Sequence, residues 1–471
     1  MKSGVRTFNV LSTIIILMSF STMSFTVYNT VGQDDWPQFC YDSQNTGYTS
    51  SLLRNETELF WTYNTTGAVK SSPVVVNGTV YVGSDDGWVY ALEMKTGNLS
   101  WKHQITGTVK SSPLVVDEIL YIGSTNGRLY ALDANTGSEL WNFSTNGDIE
   151  GSPTFGNAKV FIGSHDGMLY ALNASSGEKE WNSTAGSYIL GSAAVSDDMV
   201  LVGGCDNILR SYNIHTAEVI WEFETKGFIV ASPSIFENKV YFGNYAQKMY
   251  CLDLYTGREI WNFTLGAETV STATIAYGKV FFGARDNKVR ALDAETGQLK
   301  WEFETNDVVD ASPSIADEII FIGESQGIFY ALNATNGDLI WSYITGGEIL
   351  SSAAISEGYI FVGNSLKTIY AFNSSKPPEP DNGNGGNGGN DGDGGDGEDG
   401  EDGEDGEDGE SEPPPDNGND TTSGDGNRSS KCWVVRDRII ITVIWIAVLS
   451  LVLIMISIEL KNRAMKKRKE G

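Results

Sequence analysis

The chain has 471 residues, with 61 Asp and Glu against 32 Lys and Arg, four Cys and three His. A formal charge of −29 argues against nucleic acid as a partner, because neutralising phosphates needs clustered Lys and Arg. Four scattered cysteines exclude a disulfide scaffold, three histidines argue against a histidine-rich metal site, and an apolar fraction of 40% excludes a wholly disordered chain.

Residues 1–32 read as an export signal. Lys2 and Arg6 precede an apolar stretch from Phe8 to Phe25, centred on Ile14 to Met18. The run is short and polar-flecked, and no Ala-x-Ala site follows, which leaves cleavage and an uncleaved anchor both open. Cys40 is the first cysteine and lies beyond the run, which argues against a lipoprotein signal.

Residues 33–375 form a repeat. Trp61, Trp101, Trp141, Trp181, Trp221, Trp261, Trp301 and Trp341 recur at a constant interval of 40. A glycine column runs in the same register from Gly83 to Gly363. A serine column runs from Ser72 to Ser352, with Thr272 in one place. Each unit carries four β signals. In the first, Ser71–Val76 precedes an Asn77-Gly78 turn, Thr79–Gly83 precedes Asp86-Gly87, Trp88–Leu92 ends at Thr96-Gly97, and Leu99–Ile105 follows. Four short strands per 40 residues, with no helical pattern, predict propeller blades; a β-solenoid normally repeats over fewer residues. The last unit ends at Asn373 without its own Trp, while an orphan strand, Glu58–Tyr63 with Trp61, precedes every blade. An all-β, eight-bladed propeller closed by this N-terminal strand follows.

The segment Ala131 to Trp141 resembles the tryptophan-docking motif A-x-D-x-x-T-G-x-x-x-W of quinoprotein-type (PQQ-like) propellers. Copies also run from Ala291 to Trp301 and, with Glu for Asp, from Ala91 to Trp101. The copy from Ser211 to Trp221 lacks the Ala and the Gly, and that from Cys251 to Trp261 lacks the Ala. The start, Trp36 to Asp42, is similar to the lead-in of PQQ-like repeat proteins, with Cys40 where they often carry Arg. In such rings the eight Trp are structural, each burying an amphipathic ring in the seam to the next blade. The resemblance also implies, for its dehydrogenase members, PQQ held with Ca²⁺ by carboxylate and amide ligands, a catalytic Asp and often a vicinal disulfide. No Cys-Cys pair exists here, and no insertion interrupts the repeat to build a cofactor pocket.

The fourth-to-first connections and second-to-third turns share one face, where propellers usually bind ligands. One column on that face reads Lys70, Lys110, Glu150, Leu190, Val230, Val270, Asp310, Leu350. A second, two residues earlier, includes Asp148, Tyr188, Phe228, Glu268 and Glu348. These positions vary between blades while the framework does not. His165 falls on the same face, His103 on an outer strand and His215 on the opposite face, so they make neither one zinc site nor one triad. Twelve Asn-x-Ser/Thr sequons stand at Asn55, Asn64, Asn77, Asn98, Asn142, Asn173, Asn182, Asn262, Asn333, Asn373, Asn419 and Asn427, and are candidate N-glycosylation sites.

Residues 376–432 are rich in Gly, Asp, Glu, Asn and Pro, cannot bury apolar surface, and read as a disordered stalk. Residues 439–458 carry no charge over 20 residues, enough to cross a membrane as a helix. The tail, 459–471, holds Lys461, Arg463, Lys466, Lys467, Arg468 and Lys469, which places it in the cytoplasm and the propeller outside. The expected protein is a membrane-anchored surface propeller that binds protein or glycan without catalysis and with no cofactor. The alternatives are a PQQ-dependent dehydrogenase using calcium and a structural component of the cell envelope.

Overall fold

The computed structural model describes residues 35–53 and 57–374. The predicted signal, stalk, span and tail, together with Asn55, Asn419 and Asn427, lie outside the described residues. Eight antiparallel sheets of four blade strands form the body among the described residues, and Tyr48–Thr49 adds to the inner strand of one of them, Ser314–Ala316, in parallel. In blade 1 the strands are Val74–Val76, Thr79–Gly83, Trp88–Glu93 and Leu99–Gln104, running from the innermost to the outermost. Burial falls along that order: the inner three strands are largely buried, whereas the outer strand alternates between exposed and half-buried residues. Neighbouring blades share apolar clusters, so the core is a series of seams.

The innermost strand is shorter than Ser71–Val76. Residues 71–73 lie outside the sheet: Ser71 Oγ accepts the Gly83 amide of its own blade, and the Ser72 amide serves the next. The Ser72 amide donates to Ser112 Oγ at 2.9 Å, the Ser112 amide to Ser152 Oγ at 3.0 Å, and the Ser152 amide to Ser192 Oγ at 2.9 Å. The chain of bonds continues through Ser232, Thr272 and Ser312 to Ser352, whose amide returns to Ser72 Oγ at 2.9 Å. The serine column is therefore a hydrogen-bonded hoop around the channel.

Closure follows the expected route. Glu58–Asn64 pairs antiparallel with Thr368–Asn373, with Trp61 opposite Ala371, and completes the last blade. The glycine column fills the seams. A Cβ on Gly163 would stand 2.1 Å from Ile189, and one on Gly363 would stand 2.3 Å from Val69 of blade 1.

Each docking Trp follows a register shift in its outer strand, such as that between Ala91 and Leu92 opposite Leu99 and Trp101. The extra residue turns the ring out of its own sheet and into the seam. Trp61 Nε1 donates to Met94 O at 2.9 Å, Trp101 to Ala134 O at 2.9 Å, and Trp221 to Leu254 O at 2.8 Å. Trp141, Trp181, Trp261 and Trp301 repeat the bond. Trp341 packs edge-on against Phe372 at 5.0 Å. The Thr-Gly turn is the seat for the ring: at Gly137, with φ +72°, a Cβ would lie 2.5 Å from Trp101. Ala217 occupies the same position under Trp181 and adopts φ +62°, a left-handed conformation costly for a residue with a Cβ.

The lead-in forms a belt across the face opposite the ligand face. Its carbonyls accept inner-strand amides from six blades: Val75 to Trp36, Val115 to Pro37, Val195 to Ser43, Ile235 to Gln44, Ile275 to Thr46 and Ile315 to Gly47. Asn45 Nδ2 adds bonds to Ala193 O at 3.1 Å and Pro233 O at 2.9 Å. Trp36 is buried, and Phe39 reaches the channel wall.

Candidate functional site

The first column, Lys70, Lys110, Glu150, Leu190, Val230, Val270, Asp310 and Leu350, converges on a single channel cavity of about 180 Å³. Convergence follows from the hoop, since each of these residues stands two positions before a hoop serine or threonine. Phe39 of the belt lines the same cavity.

The charges there are not free. Lys70 Nζ lies 2.9 Å from Asp85, and Lys110 Nζ lies 2.6 Å from Glu150. Arg285 grips Asp310 through two bonds of 2.8 and 2.9 Å and reaches Glu268 at 3.4 Å. The hydrogen bond to Asp310 drives the Arg285 guanidinium further above its already high range. Opposite charges are thus satisfied within the wall.

The second column forms the rim, and its backbone explains why. Each carbonyl accepts the amide of a second-to-third turn: Asp148 from His165, Tyr188 from Cys205, Phe228 from Tyr245, Glu268 from Arg285 and Glu348 from Ser365. This pairing brings in residues that the sequence columns omit, namely Asp85, Cys205, Tyr245 and Arg285. They form a third column two residues after the glycine column, and that spacing was available as a signal.

Aromatic groups gather on blades 3 to 6. His165 stacks on Tyr188 at 5.2 Å and 21°, Phe228 meets Tyr245 at 6.2 Å, and Arg285 lies over Tyr245 at 5.7 Å. Tyr188 is 57% exposed and Phe228 49%. Exposed aromatic faces of this size, flanked by carboxylates, offer stacking and cation–π contact to a partner.

His103 lies on an outer strand and His215 on the opposite face, where it contacts Asp198 at 3.3 Å. Among the described residues no group of three or more His, Cys, Asp or Glu is placed to hold a metal ion. Cys40, Cys205 and Cys251 are each free, and burial pushes all three thiols up, away from nucleophilic character. Glu150 and Asp310, the carboxylates nearest to ligands on the channel wall, are held by Lys110 and Arg285. The residues present do not fit the donor set of PQQ with calcium.

Of the sequons within the described residues, Asn64, Asn77, Asn98, Asn142 and Asn262 are exposed. Asn173, Asn182, Asn333 and Asn373 are half-buried.

A family model described as "Outer membrane protein assembly factor BamB" matches residues 50–148, and one described as "Beta-alanine-activating enzyme, beta-propeller" matches residues 149–379. No curated protein matches the chain. Among solved structures, BamB from Moraxella catarrhalis is similar with a TM-score of 0.60 and 17% identity, over 68% of this chain and 100% of that one. The quinohemoprotein alcohol dehydrogenase from Comamonas testosteroni is similar with a TM-score of 0.65 and 16% identity, over 74% of this chain and 82% of that one. The computationally designed Ika8 protein has a TM-score of 0.62 at 18% identity, over 68% of this chain and 100% of that one. Such identities speak to the fold alone, and that fold hosts both an enzyme and an assembly factor. The docking motif, the closed ring and these matches make the chain a PQQ-like eight-bladed β-propeller.

Proposed function

We propose that the protein is a non-catalytic binding scaffold, anchored in the membrane by residues 439–458 and displayed outside the cell, whose mouth face takes a surface protein. The observation that carries this reading is the division of labour at the mouth. Lys70, Lys110 and Arg285 pair with Asp85, Glu150 and Asp310, while Tyr188 and Phe228 stand exposed on the rim of adjacent blades. Exposed aromatic anchors are what recognition of a protein surface uses. Both ends of the described body lie away from the mouth. Asp35 binds the Asn77 amide and the Ser374 amide binds Gly358 O, both on the face opposite the mouth.

The test uses the full chain in lipid nanodiscs, immobilised and exposed to solubilised surface proteins and, separately, to glycans. Retention of a protein that Tyr188→Ala with Phe228→Ala abolishes is the expected result. Retention of glycans alone would replace the protein by a carbohydrate ligand. Saturable one-to-one binding of PQQ in excess calcium would overturn the scaffold reading in favour of a dehydrogenase.

A further inference from the structure

Among the described residues, two of the eight inner strands, those of blades 3 and 8, donate no amide to the belt, and Ile355 of blade 8 is fully buried whereas Phe155 of blade 3 is half-buried. It accepts the amides of Val75 and Val115 on the carbonyls of Trp36 and Pro37, and next takes those of Val195 and Ile235 on Ser43 and Gln44. Blade 3 is passed over. Between Pro37 and Ser43 the chain turns through Cys40 and Tyr41, with φ +50° and +76°, and Phe39 enters the channel wall. Phe155 of blade 3 lies opposite Val160, as Val75 lies opposite Val80 and Val115 opposite Leu120. Its amide therefore points out of the sheet edge like theirs, but no belt carbonyl meets it among the described residues.

A groove surrounds that amide. Three cavities of about 290, 250 and 270 Å³ share Val116 as a common wall. Phe155 lines the first two, with Pro37 and Leu114 on the belt side of the first. Asp117 lines the second and third, joined in the third by Glu118. Both acids are exposed. Apolar walls and an acidic flank thus lie on either side of Val116, next to the strand that carries the Phe155 amide.

We propose that this groove is a docking seat for an extended segment of a partner protein. The segment adds to the inner strand of blade 3 as the missing stretch of belt, its carbonyl accepting the Phe155 amide. One apolar side chain packs on Phe155 and Val116, and a Lys or Arg lies beside Asp117 and Glu118. The belt itself shows that these short inner edges take a crossing chain through backbone bonds, paired as strand at Trp36 with Val75 and at Tyr48–Thr49 with Ile315–Ala316. Alternate side chains then supply selectivity, and the acidic flank sets the sign of the partner's charge. The seat lies on the face opposite the mouth, so it stands apart from the mouth reading.

The test is fluorescence anisotropy of a labelled hexapeptide, Gly-Arg-Leu-Val-Leu-Gly, with the full-length protein in detergent. Saturable binding is expected, weakened about tenfold or more by Val116→Asp and by Asp117→Lys with Glu118→Lys, which corresponds to about 1.4 kcal/mol. The charge-reversed variant changes only exposed residues, so it reports even if Val116→Asp fails to fold. Replacing the probe's central peptide bond by an alkene isostere, which removes the accepting carbonyl, should abolish binding, while Tyr188→Ala with Phe228→Ala should leave it within about twofold. Absence of saturable binding to the folded protein, or equal affinity for the probe lacking its central carbonyl, would overturn the proposal. So would a dimer of the full chain that the charge reversal dissociates, since a second copy would then own the seat.

Discussion

The two faces of the ring solve opposite problems with the same repeat. On the mouth face, loops project side chains, and their charges pair across blades as in Lys110–Glu150 and Arg285–Asp310. On the belt face, the contacts are made by backbone: six inner-strand amides meet carbonyls of one crossing segment. The inner-strand residues whose amides meet the belt are all Val or Ile, because their side chains are buried in the wall of the ring. Positions whose partner is another side chain can differ from blade to blade. The contrast teaches that constancy along this repeat marks structure, whereas variation marks the surface available for recognition.

The largest effect should come from the belt. Trp36 is 1% exposed, and Trp36→Ala should cost about 3–5 kcal/mol in a urea titration. A loss below about 1 kcal/mol would mean that the belt is an ornament rather than part of the core. The hoop comes next. Ser152→Ala leaves the buried Ser112 amide without its acceptor and should cost about 1–3 kcal/mol by the same measurement.

The faces should also separate by pH. On the mouth side, burial raises the Asp86 and Asp286 carboxyls. Hydrogen bonds from Thr66, Tyr90 and Trp88 to Asp86, and from Arg290 and Gly266 to Asp286, more than reverse this and hold both below the usual carboxylate range. Their stabilisation is present above the unfolded carboxylate pKa of about 4 and is lost as pH falls through the folded values. Asp42 in the belt behaves oppositely: burial raises it despite bonds from Thr46 and Gln44, so protonation on acidification relieves strain there. Urea midpoints should therefore rise slightly on descending toward about pH 4 and fall below it, and Asp42→Asn should remove the first limb only.

Two smaller effects sharpen the comparison. Ala217→Gly relieves a left-handed backbone under Trp181 and should stabilise by up to about 1 kcal/mol, visible as a raised melting temperature. Tyr188→Ala and Phe228→Ala should change stability by less than about 0.5 kcal/mol each while removing the mouth's partner. A large stability loss at Tyr188 would place it in the framework and weaken the recognition reading.

Much of the architecture was legible because each signal is local and repeated. The Asn77-Gly78 and Asp86-Gly87 turns, the Thr-Gly seats and the Trp interval each state a backbone geometry within a few residues. The channel column from Lys70 to Leu350 was equally readable, since a ring maps equivalent positions onto one wall. The pairing of those charges was not, because Arg285 and Asp310 are 25 residues apart and meet only across a seam. Tyr245 and Arg285 escaped notice for the same reason: their role comes from a turn folded over the rim. The belt was visible as a motif beginning at Trp36, but its path under six blades was not.

By itself, then, the sequence determined the strand count per unit, the number of units and the closure by the strand carrying Trp61, since these depend on turn chemistry and period. Only the tertiary structure decided that the serines form a hoop, that the mouth's charges neutralise one another, and that the belt passes over Phe155. Each of these joins groups distant in sequence, and their meeting depends on ring curvature, which no short stretch of chain encodes.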